Sequence, residues 1–412
     1  MFTKKEIINI RNQFPIFSKK INGYPLIYFD NSSTTQKPKC LINKNKYYYY
    51  NLNSNVYRNN CYLSNKSTFY IEKCRNIIKN FINANSKKEI IFTKGTTESI
   101  NLICNCLNNI NILKKNDEII ISLLEHHSNI IPWQYLCKKK KLILKIININ
   151  KKYNISLKSL KNIISNKTKI ISITHISNVF GTILPIKKIV EIIRNKNKNI
   201  IIILDGAQSI SHIPINVKSL NIDFYAFSTH KIYGPYGLGI LYGKKKILNQ
   251  FPPYQLGGSM IKSVTLNKTI YTDLPKKFEA GTPNICSIFC FLYVIKYINK
   301  INIYNINIYE KKLINFIKNL FLKNKNIILY GKNNIHSSSI LSFNIKNINN
   351  FDIGCMLNKY GICVRTGYHC SHPLMKYLNI NGTIRISFGM YNTIEEIDKF
   401  YFFLLKIIKL LK

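Results

Sequence analysis

Short apolar runs alternate with longer helical patterns through the middle of the chain, and this alternation limits the possible folds more than any other feature. Four runs read as buried strands that end in polar residues: "EIIISLLEHHSN", "KIISITHISNVFG", "NIIIILDGAQS" and "DFYAFSTHK". Segments such as "IKKIVEIIRNKNK" between them have helical spacing. Apolar strands separated by helices are typical of a mostly parallel sheet covered on both faces. The sequence therefore predicts an α/β fold with its ligand site at the carboxyl ends of the strands.

The pattern changes after about residue 290, where long helical stretches are followed by short strands and a last helix from about Ile394. A chain of 412 residues suits one large and one small domain. We predict an N-terminal segment, 1–20, that packs with the small domain, a large domain over 21–290, and a small α+β domain over 291–412. The small domain would carry the cysteine of "VRTGYHCSHP".

Bulk properties exclude several classes of protein. No uncharged apolar run reaches the roughly 18 residues of a membrane span, and the N-terminus lacks a secretory signal pattern. Eleven cysteines form a poor disulfide framework and fit a reducing compartment. The formal net charge of +43 is spread along the whole chain without a recognisable nucleic-acid module. We therefore expect a soluble protein that acts neither on nucleic acid nor in a membrane.

Residues that could take part in catalysis or binding follow two predicted strands and open one predicted helix. Desolvation can deprotonate a lysine such as Lys231 at a buried strand end, so that it forms a Schiff base with an aldehyde. Asp205 could keep the pyridine nitrogen of pyridoxal phosphate protonated, or simply cap the next helix. The helix that opens at Thr96 and Thr97 would offer a phosphate seat, with Ser228 and His230 as further donors. Each feature alone also has an ordinary structural interpretation, but together they favour pyridoxal phosphate.

Ten motifs follow one another in the order seen in cysteine desulfurases of the Suf type, which the chain resembles from about residue 14 to 400. That family belongs to the class V group of fold-type I enzymes that use pyridoxal phosphate. The motifs are "YFDNSSTTQKP", "SNVYR", "FTKGTTESINL", "EHHSNIIPWQ", "HISNVFGT", "DGAQS", "FSTHKIYGPYGLGILYG", "FEAGTPN", "RTGYHCSHP" and "IRISFGMYNT".

The resemblance implies a role for each cofactor-binding residue. Lys231 resembles the lysine that binds the cofactor covalently, and Asp205 the partner of the pyridine nitrogen. Gln208 would hydrogen-bond the ring oxygen, and His126 would stack on the ring and be placed to move protons. The phosphate would be bound by Thr96, Thr97, Ser228 and His230, and by Gly281 and Thr282 of a neighbouring subunit. A homodimer follows from the last assignment.

The same resemblance implies the substrate site and the nucleophile. Asn178 and Arg385 would hold the carboxylate of L-cysteine, with Arg365 and Arg58 beside them. Cys370 aligns with the thiol that takes sulfur as a persulfide and leaves L-alanine as the product. Cationic groups such as Arg365 and His369 would favour its thiolate. A structural metal at Cys363, His369, Cys370 and His372 is the less favoured alternative, because the spacing is not a usual zinc pattern.

Some positions depart from the family pattern. Tyr57 and Cys61 stand where histidines are usual, and so does Tyr368, next to His369. Only fourteen residues separate Cys370 from Arg385, so the cysteine loop is of the short type. A short loop implies a sulfur acceptor that reaches in, such as a SufE-like or SufU-like protein, in iron–sulfur assembly on a Suf scaffold.

Two related activities stay open at this point. A selenocysteine lyase shares the scaffold, and so does a class V transferase without a cysteine nucleophile. The lysine and asparagine bias suggests an AT-rich genome, and we expect the bacterial cytoplasm, with an organelle lumen as the alternative.

Overall fold

The structure is a computed structural model, and it describes residues 2–57, 60–331 and 337–411. Its helices are α1 (Lys4–Arg11), α2 (Lys39–Asn51), α3 (Tyr62–Phe81), α4 (Thr96–Asn108), α5 (Ile131–Lys140), α6 (Leu157–Ile163), α7 (Ile186–Lys196), α8 (Ser209–His212), α9 (Val217–Leu220), α10 (Lys245–Gln250), α11 (Ile285–Ile301), α12 (Ile303–Leu322), α13 (Asn350–Lys359), α14 (His372–Tyr377) and α15 (Ile394–Leu411). The last of these begins at the predicted residue.

The strands form one large sheet, one four-stranded sheet and three short pairs. They are β1 (Lys20–Ile21), β2 (Tyr24–Pro25), β3 (Ile27–Tyr28), β4 (Ile90–Thr93), β5 (Glu118–Ser122), β6 (Ile143–Ile147), β7 (Thr168–Thr174), β8 (Ile201–Asp205), β9 (Phe224–Ser228), β10 (Gly239–Gly243), β11 (Ile261–Val264), β12 (Thr269–Tyr271), β13 (Ile327–Leu329), β14 (Ile340–Ile345), β15 (Ile362–Cys363), β16 (Arg365–Gly367) and β17 (Thr383–Ser387).

The large sheet has seven strands in the order β4-β10-β9-β8-β7-β5-β6. Strands β6, β5, β7, β8 and β9 run parallel to one another, and β10 is antiparallel to both β9 and β4. Successive residues of a strand point to opposite faces, and here they enter different cores: Ile202 and Leu204 belong to one cluster and Ile203 to the other. Because both faces of the central strands are buried, β8 and β9 are largely apolar up to the polar residue that ends each of them. The predicted α/β fold is confirmed.

Helix α7 shows why the segments between the strands are helical. Its buried residues are Ile186, Ile189, Val190 and Ile193, which lie three or four positions apart and form one apolar stripe. The basic residues Arg194 and Lys196 occupy the last turn, where cations stabilise the negative end of the helix dipole. The helix thus covers the sheet with one face and carries charge at its end.

A second sheet lies in the C-terminal part of the chain, with the antiparallel order β13-β14-β17-β16. Residues of α12, α13 and α15 pack with it in a separate apolar cluster. Helix α1 contacts this part through the Arg11–Glu396 ion pair at 2.7 Å, while Phe14 enters the core of the large sheet. The exact domain boundaries given above stay a prediction.

The helical stretch expected after about residue 290 begins earlier, at Ile285, and is broken at Asn302, whose φ is +74°. The resulting pair, α11 and α12, bends by 71°. Within the described ranges no single helix is long and apolar enough to cross a membrane. By length and composition alone, α11 and α12 taken together could do so, but the bend separates them.

Candidate active site

A cavity of about 240 Å³ opens at the carboxyl ends of β7, β8 and β9, where the sequence predicted a ligand site. Most of the predicted site residues line it, together with residues that were not predicted. Its lining residues are Ser32, Ser33, Thr96, Thr97, His126, Ser128, Thr174, Ile176, Asn178, Asp205, Ala207, Gln208, Ser228, His230, Lys231, Arg365, His369, Cys370 and Arg385.

Lys231 ends a short 3₁₀ turn that follows directly on β9. Burial lowers the pKa of its amine, and the nearby guanidinium groups of Arg385 and Arg365 lower it further. Asp205 and Cys370 act in the opposite direction. Together these effects shift the amine towards its neutral form, which is the nucleophilic form of a lysine.

Asp205 is the last residue of β8, and it is buried. One of its carboxylate oxygens accepts a hydrogen bond from the backbone N–H of Ala207 at 2.9 Å. Burial raises the pKa of Asp205, while Lys231 opposes the shift. Burial disfavours the ionised form of this carboxyl group, and a cationic N–H partner would stabilise that form. Gln208, three residues on, donates its side-chain amide to the carbonyl of Ser32 at 2.9 Å.

The start of α4 faces the cavity. The first N–H groups of an α-helix have no partner within the helix and bind anions readily. Ser228 Oγ accepts a hydrogen bond from Thr96 N at 2.8 Å and lies 2.8 Å from Thr96 Oγ1. His230 Nδ1 is buried, yet no described residue pairs with it. The unpaired ring nitrogen of His230, the start of α4 and the hydroxyl groups of Thr96 and Ser228 together fit the phosphate of pyridoxal phosphate.

His126 lies on the loop after β5. The backbone N–H of Ser128 donates to His126 Nδ1 at 3.1 Å, so the ring proton of the neutral histidine is on Nε2. Burial and the cation of Lys231 lower the pKa of His126 to about 3. The ring is therefore neutral, as stacking on a cationic pyridine ring would require.

Two arginines meet at one serine on the other side of the cavity. Ser33 Oγ accepts from Arg385 Nη2 at 2.9 Å and from Arg365 Nη1 at 2.8 Å. Arg385 also forms an ion pair with Asp30 at 3.0 Å and donates to the carbonyl of Asn178 at 2.9 Å. Its buried Nε has no partner among the described residues. The two guanidinium groups form a cationic wall that can hold a carboxylate.

Cys370 lies on the loop between β16 and α14. Its Sγ is 3.9 Å from Arg365 Nη2. Asn178 donates its side-chain amide to the carbonyl of His369 at 2.7 Å, so this predicted substrate ligand also anchors the cysteine loop. Lys231 and Cys370 thus share one cavity.

His369 is not the cation that the sequence suggested. The residue is buried, and its Nε2 lies 2.9 Å from Thr383 Oγ1. Burial, Arg385 and Arg365 lower the pKa of His369 well below its usual range. The expectation that His369 supports the Cys370 thiolate as a cation was wrong, because a neutral imidazole carries no charge. Arg365, whose Nη2 lies 3.9 Å from the Cys370 sulfur, is the member of that predicted pair that can act as a cation.

Two predicted residues that the structure describes do not line the cavity. Gly281 and Thr282 are exposed, and Thr282 lines a different hollow with Glu98 and Tyr254. Their predicted contact with a neighbouring subunit stays a prediction. Arg58 lies outside the described residues.

Sequence reasoning missed Ser33 and Glu125 as parts of the site. Ser33 stands in the motif "YFDNSSTTQKP", to which the sequence analysis assigned no site residue. Glu125 precedes His126 and is buried, and burial raises its pKa to about 8. Its carboxyl group accepts from Asn129 Nδ2 at 2.7 Å and from Thr174 N at 3.0 Å, which ties the His126 loop to the end of β7. The motif "EHHSN" itself was the available signal.

The described part of the chain holds no group of three or more potential metal ligands.

Comparison with known proteins gives a consistent result. The family model described as aminotransferase class-V matches residues 27–400. The chain is 44% identical to a cysteine desulfurase of Wigglesworthia glossinidia brevipalpis over 98% of both sequences, and 39% identical to one of Escherichia coli over 95% of both. A solved apo structure of a cysteine desulfurase from Thermococcus onnurineus superposes with a TM-score of 0.93 at 34% identity, covering 100% of this chain and 99% of that one.

Proposed function

Since the chain belongs to the aminotransferase class-V family and is a cysteine desulfurase that depends on pyridoxal phosphate, we propose that it supplies sulfur to iron–sulfur cluster assembly as a Suf-type enzyme, through a persulfide on Cys370. The observation that carries this proposal is the position of Cys370. Its thiol shares the cavity with Lys231 and lies 3.9 Å from the guanidinium of Arg365.

The residues of the cavity divide the work between binding and proton transfer. Thr96, Ser228 and His230 would hold the phosphate, and Asp205 the pyridine N–H. When bound, pyridoxal phosphate supplies an electron sink for the carbon atoms of the substrate.

The substrate carboxylate would lie against the Arg385 guanidinium, where it competes with Asp30. The Nζ of Lys231 can accept a proton and return it, since burial lowers its pKa. The Arg365 guanidinium lies 3.9 Å from the sulfur of Cys370, where it can interact with the thiolate, the form that attacks sulfur.

An absorbance spectrum followed by L-cysteine addition tests the assignment. The wild-type protein loaded with pyridoxal phosphate should be yellow and form alanine. Lys231→Ala should abolish turnover, and Cys370→Ala should reduce alanine formation by at least about a hundredfold, because the persulfide acceptor is gone. Cys355→Ala, which removes an exposed cysteine on α13, is the matched control. Undiminished turnover in Cys370→Ala would overturn the role of this thiol.

The cysteine loop supports a requirement for an external acceptor. Only fourteen residues separate Cys370 from Arg385. The loop is also tied down, by Asn178 at the carbonyl of His369 and by the N–H of His127 at the carbonyl of Cys370, at 2.9 Å. A persulfide on such a loop stays near the cavity, so a SufE-like or SufU-like protein would have to reach in.

Turnover assays with and without an acceptor test this point. Without one, a single equivalent of alanine should form rapidly and further turnover should be slow. Adding a SufE-like or SufU-like protein with a reactive cysteine should raise the steady rate several-fold, while the same protein with that cysteine replaced by serine should not. Equal steady rates under all three conditions would contradict the acceptor proposal.

A homodimer is supported by several exposed residues at the surface of the chain. Gly281 and Thr282 lie at the surface rather than in their own cavity, and α2 and α3 expose Tyr49, Tyr50 and Tyr62. Aromatic residues in this number are enriched at interfaces. Sedimentation should give twice the chain mass. Thr282→Val should weaken pyridoxal phosphate binding several-fold, while Ser219→Ala, on α9, should not; a monomer with unchanged affinity in both variants would contradict the proposal.

A further inference from the structure

Three rings lie in a stack beside Cys370. The rings of Tyr368 and His372 are 4.4 Å apart and nearly parallel, at 4°. The ring of His127 continues the stack at 4.9 Å from His372 and 23°. Tyr368 and His372 flank Cys370 on its loop, whereas His127 belongs to the loop after β5. The stack therefore joins the cysteine loop to the large sheet.

Hydrogen bonds fix the protonation state that this arrangement requires. His127 Nε2 accepts from the backbone N–H of His372 at 3.2 Å. It also lies 3.1 Å from His372 Nδ1. A backbone N–H can only donate, so Nε2 carries no proton and the second contact needs a proton on His372 Nδ1. The neutral form of His127 thus accepts two hydrogen bonds from α14.

The cysteine loop needs support of this kind. His369 and Cys370 both have left-handed backbone angles, with φ of +51° and +56°. This region is unfavourable for residues with a Cβ, and two consecutive residues in it require neighbours that hold them there. Besides Asn178, the support comes from His127, whose backbone N–H donates to the carbonyl of Cys370 at 2.9 Å.

We propose that Tyr368, His372 and His127 form a latch that positions the Cys370 loop, and that the latch opens when His127 takes a proton at Nε2. These are positioning residues, since they touch the loop and not the reacting atoms. The consequence for sulfur transfer rests on the proposed role of Cys370. The latch itself depends only on the contacts described.

The direction of the pH effect follows from the bonds. A proton on His127 Nε2 removes the lone pair that accepts both hydrogen bonds, so the latched state is favoured by neutral His127. Burial and His372 lower the pKa of His127 from its usual 6.5. A base whose pKa is lowered by a structure destabilises that structure as the pH falls below the ordinary value. The closed latch is therefore favoured while His127 is neutral, and it is destabilised as the pH falls below the ordinary histidine value of about 6.5.

Other titratable groups near His127 do not replace it in this role. His126 is held neutral by burial, and a proton added to Nε2 of His372 would leave its Nδ1–H bond to His127 in place. The groups that face His127 from the packed elements are His126, Cys370, His372, Tyr368, Cys104 of α4, Tyr135 and Lys139 of α5, and Tyr254.

Hydrogen exchange followed by mass spectrometry tests the latch in the enzyme loaded with pyridoxal phosphate. Protection factors, which are corrected for the intrinsic rate at each pH, are measured for the segment 368–377 between pH 5 and 8. In the wild type, protection should fall about tenfold from pH 8 to pH 5, the effect of losing about one net hydrogen bond. In His127→Gln the amide oxygen accepts without titrating, so protection should stay constant. An equal fall in both proteins overturns the proposal, as does a constant wild type.

Variants of the stack supply a second measurement. Tyr368→Phe keeps a stacked ring and should behave as wild type, whereas Tyr368→Leu should lower protection several-fold at both pH values. Loss of protection in Tyr368→Phe alone, or none in Tyr368→Leu, would overturn the role of the ring. The α11 segment is the internal reference. These readouts are separate from activity: if Cys370→Ala still turns over while the latch titrates, the proposed function fails and the latch stands.

Discussion

Several hydrogen-bond donors converge on the carbonyl oxygen of His230, the residue before Lys231. Lys37 Nζ lies 3.0 Å from this oxygen, Thr35 Oγ1 3.0 Å and Thr34 Oγ1 3.2 Å, and the backbone N–H of Thr35 donates at 3.1 Å. Burial lowers the pKa of Lys37 to about 7. These donors fix the turn from which the Lys231 side chain enters the cavity, so a residue outside the cavity helps to position the reactive amine.

We predict that Lys37→Met weakens pyridoxal phosphate binding by about tenfold at pH 6, the usual effect of one charged hydrogen bond. The charged amine is the stronger donor, and it loses its proton as the pH rises through about 7. The ratio of variant to wild-type Kd should therefore shrink at pH 8.5. Equilibrium dialysis gives both values. Lys39→Met, an exposed lysine at the start of α2, is the control, and a ratio of one at pH 6 would refute the prediction.

The guanidinium of Arg365 lies 3.9 Å from the Cys370 thiol. A cation at this distance interacts favourably with a thiolate and makes the thiol more reactive. We therefore predict that Arg365→Met slows alkylation of Cys370 by iodoacetamide at pH 7 by about tenfold. Peptide mapping measures the rate, and the exposed Cys61 serves as reference within the same protein. If both cysteines reacted at unchanged rates, the Arg365 cation would have no such effect.

At the scale of elements, the proposed phosphate-binding site depends on a close approach between β10 and the start of α4. A Cβ added at Gly239 would lie 2.4 Å from the Cα of Gly95 and 2.5 Å from its nitrogen. Backbone atoms cannot move aside at low cost, whereas the end of a flexible side chain can. The glycine on a strand therefore sets the position of the helix start that faces the cavity.

We predict that Gly239→Ala destabilises the protein by about 1–3 kcal/mol, as overpacking does. It should also weaken pyridoxal phosphate binding by at least about tenfold, because Thr96 is displaced with Gly95. Denaturant unfolding and a binding titration give the two numbers. Gly258→Ala has open space around its Cβ and should change neither. A stable Gly239→Ala protein with normal affinity would show that this contact does not control the seat.

Most of the cofactor site could be predicted from the sequence because its residues end strands or open a helix. Asp205 ends β8, Ser228 ends β9 and Thr96 begins α4, as the local patterns indicated. The pairing of Arg385 and Arg365 through Ser33 could not be predicted in this way. Ser33 is 332 positions from Arg365 and 352 from Arg385, and these contacts depend on how the N-terminal segment packs against β16 and β17.

At the scale of the whole molecule, positive charge is spread along the sequence and is not concentrated in one segment. The chain has 61 lysine and arginine residues against 18 aspartate and glutamate residues. Such an excess destabilises a compact state through self-repulsion. Added salt screens exposed charges and should relieve part of this cost.

We predict that raising NaCl from 20 to 300 mM increases the melting temperature by at least about 2 °C, because the Debye length falls to below about 10 Å. Differential scanning calorimetry measures this shift. KCl at equal ionic strength should act alike, which separates screening from specific ion binding. A melting temperature that falls with both salts would mean that attractive ion pairs outweigh the repulsion.

The sequence by itself determined the α/β class, the order of the elements and the identity of most of the residues that line the cavity. It could do so because apolar periodicity and strand-end polarity are local properties of the chain. Only the tertiary structure decided that His369 is neutral, that Asn178 anchors the cysteine loop and that His127 meets His372. Burial and contacts between distant segments set these properties, and neither is encoded in local spacing.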